Sequence, residues 1–405
     1  MTTTTRTSTT THPSTATAPV KAADDRRGTG RWTAAGQLPW EREFFGAVSG
    51  AVRLADGRVL VAGGADGALT AQDGTALFDP ADGTWTPGRP MSTARRMHST
   101  TPLADGRVLV VGGYGGPNAF PVRPLATAEV YDPVSGDWSP AGELREPRCG
   151  HSATPLPDGR VLVAGGTGTR SAGSERTLTS AELFDPALPG WTTAGEMTDA
   201  RSFHPAVPLP DGRVLVAGGW VETRTDWRGG TALAYSECYD PATDGWTPTD
   251  SLSAPRSGHQ LTVLADGSVL ATGGGEEPAP GRLDPYSRAT TQRWDPAAGR
   301  WNQEPDMPCG RGRHRALLLP TGEVLVMGGC DDLLGDAGFR AAARYDPEVR
   351  RWTAVSGTAV GRTDFAAAGL ADGRILVAGG TVRTGPATST GRRHLLTAHS
   401  ELYTP

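Results

Sequence analysis

Short apolar runs recur along the chain about every fifty residues, and each run ends in a pair of glycines. A run that is apolar at every position predicts a strand buried on both faces, because a half-exposed strand would alternate apolar and polar residues. The glycines predict strand ends where a side chain would collide or the backbone needs a positive φ. The pairs are Gly63-Gly64, Gly112-Gly113, Gly165-Gly166, Gly218-Gly219, Gly273-Gly274, Gly328-Gly329 and Gly379-Gly380.

Two further signals keep the same period. Asp-Gly precedes six of the runs, as in Asp56-Gly57, and Thr321-Gly322 precedes the remaining one. Asp-Gly between apolar strands is typical of a two-residue type I′ hairpin. A tryptophan recurs at spacings of 51 to 55 residues, and we expect it to fill the wedge between neighbouring sheets. These tryptophans are Trp32, Trp85, Trp138, Trp191, Trp246, Trp301 and Trp352.

One unit reads RxxH, ADGR, VLVAGG, a loop, AELFDP and xxGxW, and seven copies cover the chain after residue 29. This unit resembles the kelch repeat, the β-propeller family that includes the galactose-oxidase propeller, here as a stand-alone protein of bacterial type. The resemblance implies an all-β, seven-bladed propeller with four-stranded antiparallel blades. Trp32 has no strands before it and Tyr403 has no tryptophan after it. We therefore expect the segment from Gly30 to Gly36 to close the last blade and remove its free edge.

Composition and charge define the setting. Half of the first twenty residues are threonine, so residues 1–28 are predicted to form a disordered tail and residues 29–405 the propeller. The net charge of −5 argues against nucleic-acid binding, which needs a basic surface. No apolar stretch is long enough for a membrane span, and the four cysteines show no CxxC spacing. We expect a monomeric cytoplasmic protein that binds neither nucleic acid nor membrane.

Alternate connections of an up-and-down blade lie on opposite faces of the ring. The Asp-Gly turns and the turns before the tryptophans are short, and we call their side the short-turn face. The opposite, loop-rich face carries long and dissimilar connections, such as 114–127 and 220–236, together with twelve aromatic residues that lie outside the repeat. Long loops on a rigid scaffold usually hold binding sites. We expect a pocket at the loop-rich mouth of the central channel.

Five histidines occupy one position in successive units: His98, His151, His204, His259 and His314. A shared metal site is not expected, because packed sheets lie about 10 Å apart whereas zinc ligands sit about 2 Å from the ion. The resemblance implies a structural role for these histidines, and we interpret the arginines of RxxH as inter-blade hydrogen-bond donors. Galactose-oxidase relatives need an adjacent Tyr-His pair for copper, which this chain lacks, so no radical copper site is expected and the cofactor is unknown.

Departures from the repeat supply the candidate site residues. Arg313 and Asp364 stand in adjacent units where other units carry Met, Gly or Phe. Asp331 and Glu43 add carboxylates in neighbouring units of the closed ring, so these four residues are the candidate catalytic groups. An apolar wall should face this charged wall across the channel. The candidate ligand-binding residues are Tyr114, Phe203, Trp220, Trp227, Cys330 and His314.

Two functions are compatible with these patterns. The first is recognition, in which the pocket binds a small molecule, a peptide or a protein without changing it, because the chain shows no complete catalytic constellation. The alternative is a kelch-fold enzyme of specialised, natural-product metabolism that uses the candidate carboxylates as acid and base, with or without a metal.

Overall fold

The computed structural model describes residues 30–43, 50–117, 123–169, 175–188, 190–222, 230–276, 287–331, 337–388 and 391–405. Within these ranges every regular element is a β-strand, and no helix is long and apolar enough to cross a membrane. Seven four-stranded antiparallel sheets form the blades, which confirms the predicted fold. The predicted tail lies outside the described residues.

The strands are numbered in chain order, and β1 (Arg31–Gln37) belongs to the last blade. Blade one contains β2 (Ala51–Arg53), β3 (Val59–Ala62), β4 (Thr75–Asp79) and β5 (Thr84–Pro87). Blade two contains β6 (Ser99–Pro102), β7 (Val108–Val111), β8 (Thr127–Asp132) and β9 (Asp137–Glu143). Blade three contains β10 (Ser152–Pro155), β11 (Val161–Ala164), an added hairpin of β12 (Thr167–Thr169) and β13 (Glu175–Thr177), then β14 (Ala181–Phe184) and β15 (Trp191–Ala194).

Blade four contains β16 (Ala206–Pro208), β17 (Val214–Ala217), an added hairpin of β18 (Trp220–Glu222) and β19 (Gly230–Ala232), then β20 (Ser236–Asp240) and β21 (Gly245–Thr249). Blade five contains β22 (Gln260–Val263), β23 (Val269–Thr272), β24 (Thr291–Asp295) and β25 (Arg300–Glu304). Blade six contains β26 (Arg315–Leu318), β27 (Val324–Met327), β28 (Ala342–Asp346) and β29 (Arg351–Val355). Blade seven contains β30 (Ala366–Gly369), β31 (Ile375–Ala378), an added hairpin of β32 (Thr381–Thr388) and β33 (Gly391–Leu396), then β34 (His399–Thr404) and β1.

The ring closes through β1, as the sequence predicts. This strand pairs antiparallel with β34 and places Trp32 opposite Tyr403. The sheet order of the last blade is β1-β34-β31-β30. The innermost strands β2 and β30 also contact each other. The first and last blades therefore pack like any other neighbouring pair.

The apolar runs are buried on both faces because each blade packs between two others. In blade three, Val161 and Val163 face blade two, whereas Leu162 and Ala164 face blade four. All four side chains are at most 1% exposed. Each interface between blades is therefore a separate hydrophobic layer. Burial of each aliphatic side chain in such a layer stabilises the fold by about 1.5–3 kcal/mol.

The Asp-Gly turns differ from the predicted type I′ hairpin. Gly57 has a φ of 91°, but Asp56 is not among the residues with positive φ. The amide of Gly57 donates to the carbonyl of Leu54. The loop is therefore a type I turn followed by a left-handed glycine. Asp56 stabilises it by accepting hydrogen bonds from the backbone amide and side chain of Arg58.

The glycine pairs make room for the RxxH segment of the next blade. Gly63 and Gly64 have φ values of 68° and 93°. A Cβ atom on Gly63 would lie 2.5 Å from the carbonyl oxygen of Arg95 and 2.9 Å from the ring of His98. Both predicted reasons for these glycines, positive φ and close approach, therefore apply.

The repeating tryptophans connect neighbouring blades. Trp246 pairs with Tyr239 of its own blade, with ring centroids 5.2 Å apart. Its indole nitrogen donates to the carbonyl of Gly195, which follows blade three, at 2.8 Å. Trp32, Trp138, Trp191 and Trp352 make equivalent bonds to a carbonyl of the preceding unit. The predicted wedge role is confirmed.

The arginines of RxxH bridge blades in a way the sequence did not indicate. Arg148 donates to the carbonyls of Gly165 and Ser180 and to Glu182, all within blade three. The carbonyl of Arg148 accepts the amide of Gly113 from blade two. The prediction of inter-blade donation by the guanidinium is therefore wrong, and the link between blades runs through the backbone.

Candidate functional site

A ring of backbone pairs forms the loop-rich mouth of the channel. In each blade, the residue after the RxxH arginine pairs with the residue after the glycine pair. In blade one, the carbonyl of Arg42 accepts the amide of Gly380, as the carbonyl of Arg95 accepts that of Gly64. Arg42 therefore occupies the position that the RxxH arginine has in the other units, although the sequence of this unit lacks the RxxH pattern. The pairs are Glu43–Ala65, Arg96–Tyr114, Cys149–Thr167, Ser202–Trp220, Ser257–Gly275, Gly312–Cys330 and Thr363–Thr381.

In the six units where the structure describes it, the next residue belongs to an inner rim of the channel mouth. Phe203, Arg313 and Asp364 all occupy this position with φ between 52° and 53°. The amide of Phe203 donates to the carbonyl of Gly150 at 2.7 Å, and the amide of Arg313 to that of Gly258 at 2.8 Å, so backbones of neighbouring blades touch directly here. Left-handed backbone is uncommon for residues other than glycine and clusters at functional sites.

Arg313 and Asp364 lie side by side on this rim. Arg313 Nη1 is 3.0 Å from Asp364 Oδ2, and the two side chains are 31% and 14% exposed. A second arginine, Arg315, lies behind them and donates to the carbonyl of Phe365. Burial lowers the pKa of Arg315 to about 10, and Asp364 opposes this shift. In blade four the ring of Phe203 lies over Gly150 and is 38% exposed.

Glu43 is fully buried between blades seven and one. Its Oε2 accepts a hydrogen bond from the Thr381 hydroxyl and lies 2.7 Å from His394 Nδ1 of β33. Its Oε1 has no hydrogen-bond partner. Burial raises the pKa of Glu43, the hydrogen bonds from His394 and Thr381 oppose this, and Asp364 adds to it. Burial therefore shifts the protonation equilibrium of this carboxyl group toward the neutral form.

Tyr114 belongs to a polar cluster in blades two and three rather than to the predicted apolar wall. Its hydroxyl donates to Glu175 at 2.6 Å. Burial raises the pKa of this hydroxyl far above its usual range, and Cys149 and Glu175 add to the shift. Burial also raises the pKa of the Cys149 thiol to about 12. The guanidinium of Arg96 lies 5.3 Å from the centre of the tyrosine ring.

Asp331 and Cys330 lie in blade six, beside the rim. Asp331 accepts a hydrogen bond from the Ser287 hydroxyl of the preceding blade. Cys330 is 2% exposed, and the Thr363 hydroxyl donates to its sulfur at 3.7 Å. Both residues therefore join neighbouring blades.

The remaining predicted residues do not gather on the rim. Trp220 is partly buried and its ring lies over Gly230 in its own hairpin. His314 is fully buried, with Nε2 2.9 Å from the Thr272 hydroxyl of blade five, so it does not reach the channel surface. Trp227 lies outside the described residues.

Several polar residues of the mouth were missed from the sequence. Arg96 and Cys149 stand directly after the RxxH arginine, where blades four and five carry serine. This departure was visible in the repeat and could have been noticed. Glu175 and His394 lie in the added hairpins β12–β13 and β32–β33, where no repeat pattern marks them.

The repeating histidines are buried in separate wedges between blades. Burial lowers the pKa of His98 to about 3 and holds the pKa of His151 and of His204 well below its usual range. The rings of His151 and His204 hydrogen-bond Ser99 and Ser152 of the preceding blades at 2.9 and 3.1 Å. Over the described ranges, no group of three or more His, Cys, Asp or Glu residues could hold a metal ion.

A recess of about 680 Å³ interrupts the short-turn face between blades five and six. Its two arginines are paired, Arg293 with Asp266 and Arg350 with Glu304. Ser268 lines this recess at the register where most blades carry the arginine of ADGR. The charged side chains of the recess are therefore already satisfied within the protein.

Sequence comparison agrees with this architecture. A Kelch-motif family model matches residues 95–145. Kelch-like protein 34 of Homo sapiens is 28% identical over 233 residues, which is 56% of this chain and 33% of that protein. Kelch-like protein 15 of Danio rerio is 27% identical over 291 residues, which is 67% of this chain and 44% of that protein. The chain thus spans less than half the length of these curated relatives.

Solved structures share the fold at lower identity. A fungal alcohol oxidase of the AA5 family, in complex with copper, has a TM-score of 0.68 at 19% identity and covers 93% of this chain and 77% of its own. YjhT has a TM-score of 0.58 at 16% identity and covers 78% of this chain and 98% of its own. These likenesses show the fold alone. The chain is therefore a seven-bladed β-propeller that carries a Kelch motif at residues 95–145 and is similar to Kelch-like proteins.

Proposed function

We propose that this propeller is a recognition module whose loop-rich channel mouth binds a small molecule or a peptide segment. The proposal depends mainly on one observation about the rim. The ion pair of Arg313 and Asp364 and the exposed side chain of Phe203 occupy equivalent positions in their blades. Most binding sites combine apolar surface with a few placed polar groups. The ligand class that fits carries an anionic or carbonyl group beside an apolar group.

The charges on the rim support binding because they stand at a position that other blades fill with Met, Gly or Phe. A half-desolvated charge needs a partner or a ligand. Arg313 is the more exposed member of the pair, so its guanidinium is the group that a ligand carboxylate or carbonyl would reach first.

An enzyme of specialised metabolism is the second candidate, and Glu43 is the observation that favours it. Its raised pKa and unpartnered Oε1 suit a proton donor or acceptor. Conversion of a bound ligand that stops in Glu43→Gln, with binding retained, would favour catalysis over recognition.

The experiment is a thermal-shift screen of aliphatic and aromatic carboxylates and short peptides, followed by titration of any hit into rim variants. Arg313→Ala should weaken binding about 10- to 100-fold, as expected for loss of a charge-assisted hydrogen bond. Arg58→Ala, on the short-turn face, is the matched control and should leave affinity unchanged. If the double variant Arg313→Ala/Asp364→Ala regains stability and binding relative to either single variant, the pair is structural and the proposal fails.

A further inference from the structure

Four blades hold a buried arginine against a buried glutamate. The distances are 2.8 Å for Arg95–Glu129, Arg148–Glu182 and Arg201–Glu237, and 2.6 Å for Arg362–Glu401. The glutamate also accepts two backbone amides from the loop ahead of the arginine, which in blade two belong to Ser92 and Thr93. Each loop therefore forms an anion site from one guanidinium and two amides, and a carboxylate fills it.

Blade six keeps the arginine but lacks the glutamate. Ala343 occupies the position of the glutamate, because it pairs with Val326 in the sheet as Glu129 pairs with Val110 in blade two. Arg311 is 1% exposed and still donates to the carbonyls of Gly328 and Ala341. Its Nη2 donates to a sulfur atom instead of a carboxylate, and no carboxylate among the described residues pairs with it. A buried cation without an anion is costly.

The sulfur of Cys309 takes the position of the missing carboxylate. Arg311 Nη2 lies 3.0 Å from Cys309 Sγ. Cys309 holds the register of Thr93, and it is partly exposed, whereas the other three cysteines are buried. Pro308 holds the register of Ser92, so one of the two amides is also missing. Blade six thus places the thiol of a partly exposed residue beside a buried guanidinium.

We propose that Cys309 is a redox-modification site, a nucleophilic thiol that peroxides oxidise and whose oxyacid form completes the ion pair with Arg311. The thiolate is the nucleophile in such reactions, and a neighbouring arginine stabilises negative charge on sulfur. The sulfur attacks one peroxide oxygen, the S–O bond forms as the O–O bond breaks, and the other oxygen leaves as water with the thiol proton. Sulfur loses the two electrons that the peroxide gains.

The oxidised side chain would resemble the glutamates of the other blades. A sulfenate, or a sulfinate after a second peroxide, carries oxygen atoms that can accept from Arg311 as Glu129 accepts from Arg95. The buried cysteines Cys149, Cys238 and Cys330 serve as internal references, because their sulfurs lack this exposure.

The test is oxidation of the folded protein by hydrogen peroxide, with sulfenic acid trapped by dimedone and mapped by mass spectrometry. Cys309 should be labelled before the other three cysteines. Ala343→Glu restores the carboxylate that four blades carry, and it should slow labelling of Cys309 about tenfold. Equal labelling rates in the two proteins, or faster labelling of a buried cysteine, would overturn the proposal.

Blade two supplies a matched pair of variants. Thr93→Cys places a thiol opposite Arg95, whose charge Glu129 already satisfies, so this cysteine should react slowly. Thr93→Cys/Glu129→Ala recreates the arrangement of blade six, and the new cysteine should react about tenfold faster. No increase would count against the proposal. Melting temperatures show whether each variant is folded. If Thr93→Cys/Glu129→Ala does not fold, the labelling rates of the wild type and of Ala343→Glu decide the question.

Discussion

Trp32 and Tyr403, from opposite ends of the chain, pack with ring centroids 5.1 Å apart on paired strands. The indole nitrogen of Trp32 also donates to the carbonyl of Ser356, which follows blade six, at 2.7 Å. Trp32 thus connects blades six and seven by the same kind of contact that the other repeating tryptophans make between neighbouring blades. Closure of the ring depends on this one strand from the beginning of the propeller.

Truncation tests the closure directly. Removal of residues 1–28 should leave the melting temperature unchanged, whereas removal of residues 1–38 deletes β1 and should lower it by roughly 5–10 °C, since each kcal/mol shifts a large domain by about 2–4 °C. Scanning calorimetry of both truncations measures the difference. Equal melting temperatures would mean that the blades hold together without Trp32.

The buried ion pairs should be sensitive to loss of one partner. Glu182→Ala leaves the guanidinium of Arg148 buried without a carboxylate and should cost about 3–5 kcal/mol of unfolding free energy. Glu182→Gln should cost less, because blade five already places Gln292 beside Arg256. Urea unfolding measures both variants, and equal losses would show that the negative charge of Glu182 makes the whole contribution and that a neutral amide cannot replace it.

The repeat predicted the blades, the closure and the adjacency of Arg313 and Asp364, because one register along the sequence becomes one position around the ring. It could not predict the partners of Glu43. His394 reaches it from a hairpin outside the repeat, so only tertiary packing determines that contact. The Asp-Gly turn was misread because Asp-Gly also suits a type I turn with a left-handed glycine after it. Tyr114 was placed on the apolar wall because its sequence position does not reveal Glu175.

Blade six also differs from the repeat at two positions whose side chains meet. Glu323 replaces the arginine of ADGR, and Arg344 stands where blade two carries Val130. The two side chains meet at 3.2 Å between Nη1 and Oε2, and both are buried. Each departure looks unfavourable alone, but together they form one ion pair.

A double-mutant cycle tests this ion pair. Arg344→Leu alone leaves Glu323 as a buried, unpaired charge and should cost about 3–5 kcal/mol. Arg344→Leu/Glu323→Leu removes both charges and should be less destabilised than the single variant. Chemical denaturation of both single variants, Arg344→Leu and Glu323→Leu, and of the double variant gives the coupling between the two sites. If the two changes simply add, the pair is not an energetic unit.

Glu43 should make stability depend on pH in the direction opposite to an ordinary salt bridge. Burial raises its pKa above the usual 4.5, against the opposing hydrogen bonds of His394 and Thr381. Asp364 adds to the rise, and Arg96 of blade two faces the same carboxyl group as a counter-charge. The protonated form is therefore the one that the folded protein favours.

A folded-state pKa above the unfolded value means that stabilisation by this proton is complete below the unfolded pKa and is lost as pH rises through the folded one. Relative to Glu43→Gln, which stays neutral, the wild type should therefore lose stability as pH rises above about 4.5. Urea unfolding of both proteins across this range measures the difference, and Glu41→Gln, which changes an exposed carboxyl group two residues away, is the control variant. A wild-type advantage that grows with pH would instead mean that Glu43 is ionised in the fold, and its unpartnered Oε1 would then need a cationic partner rather than a proton.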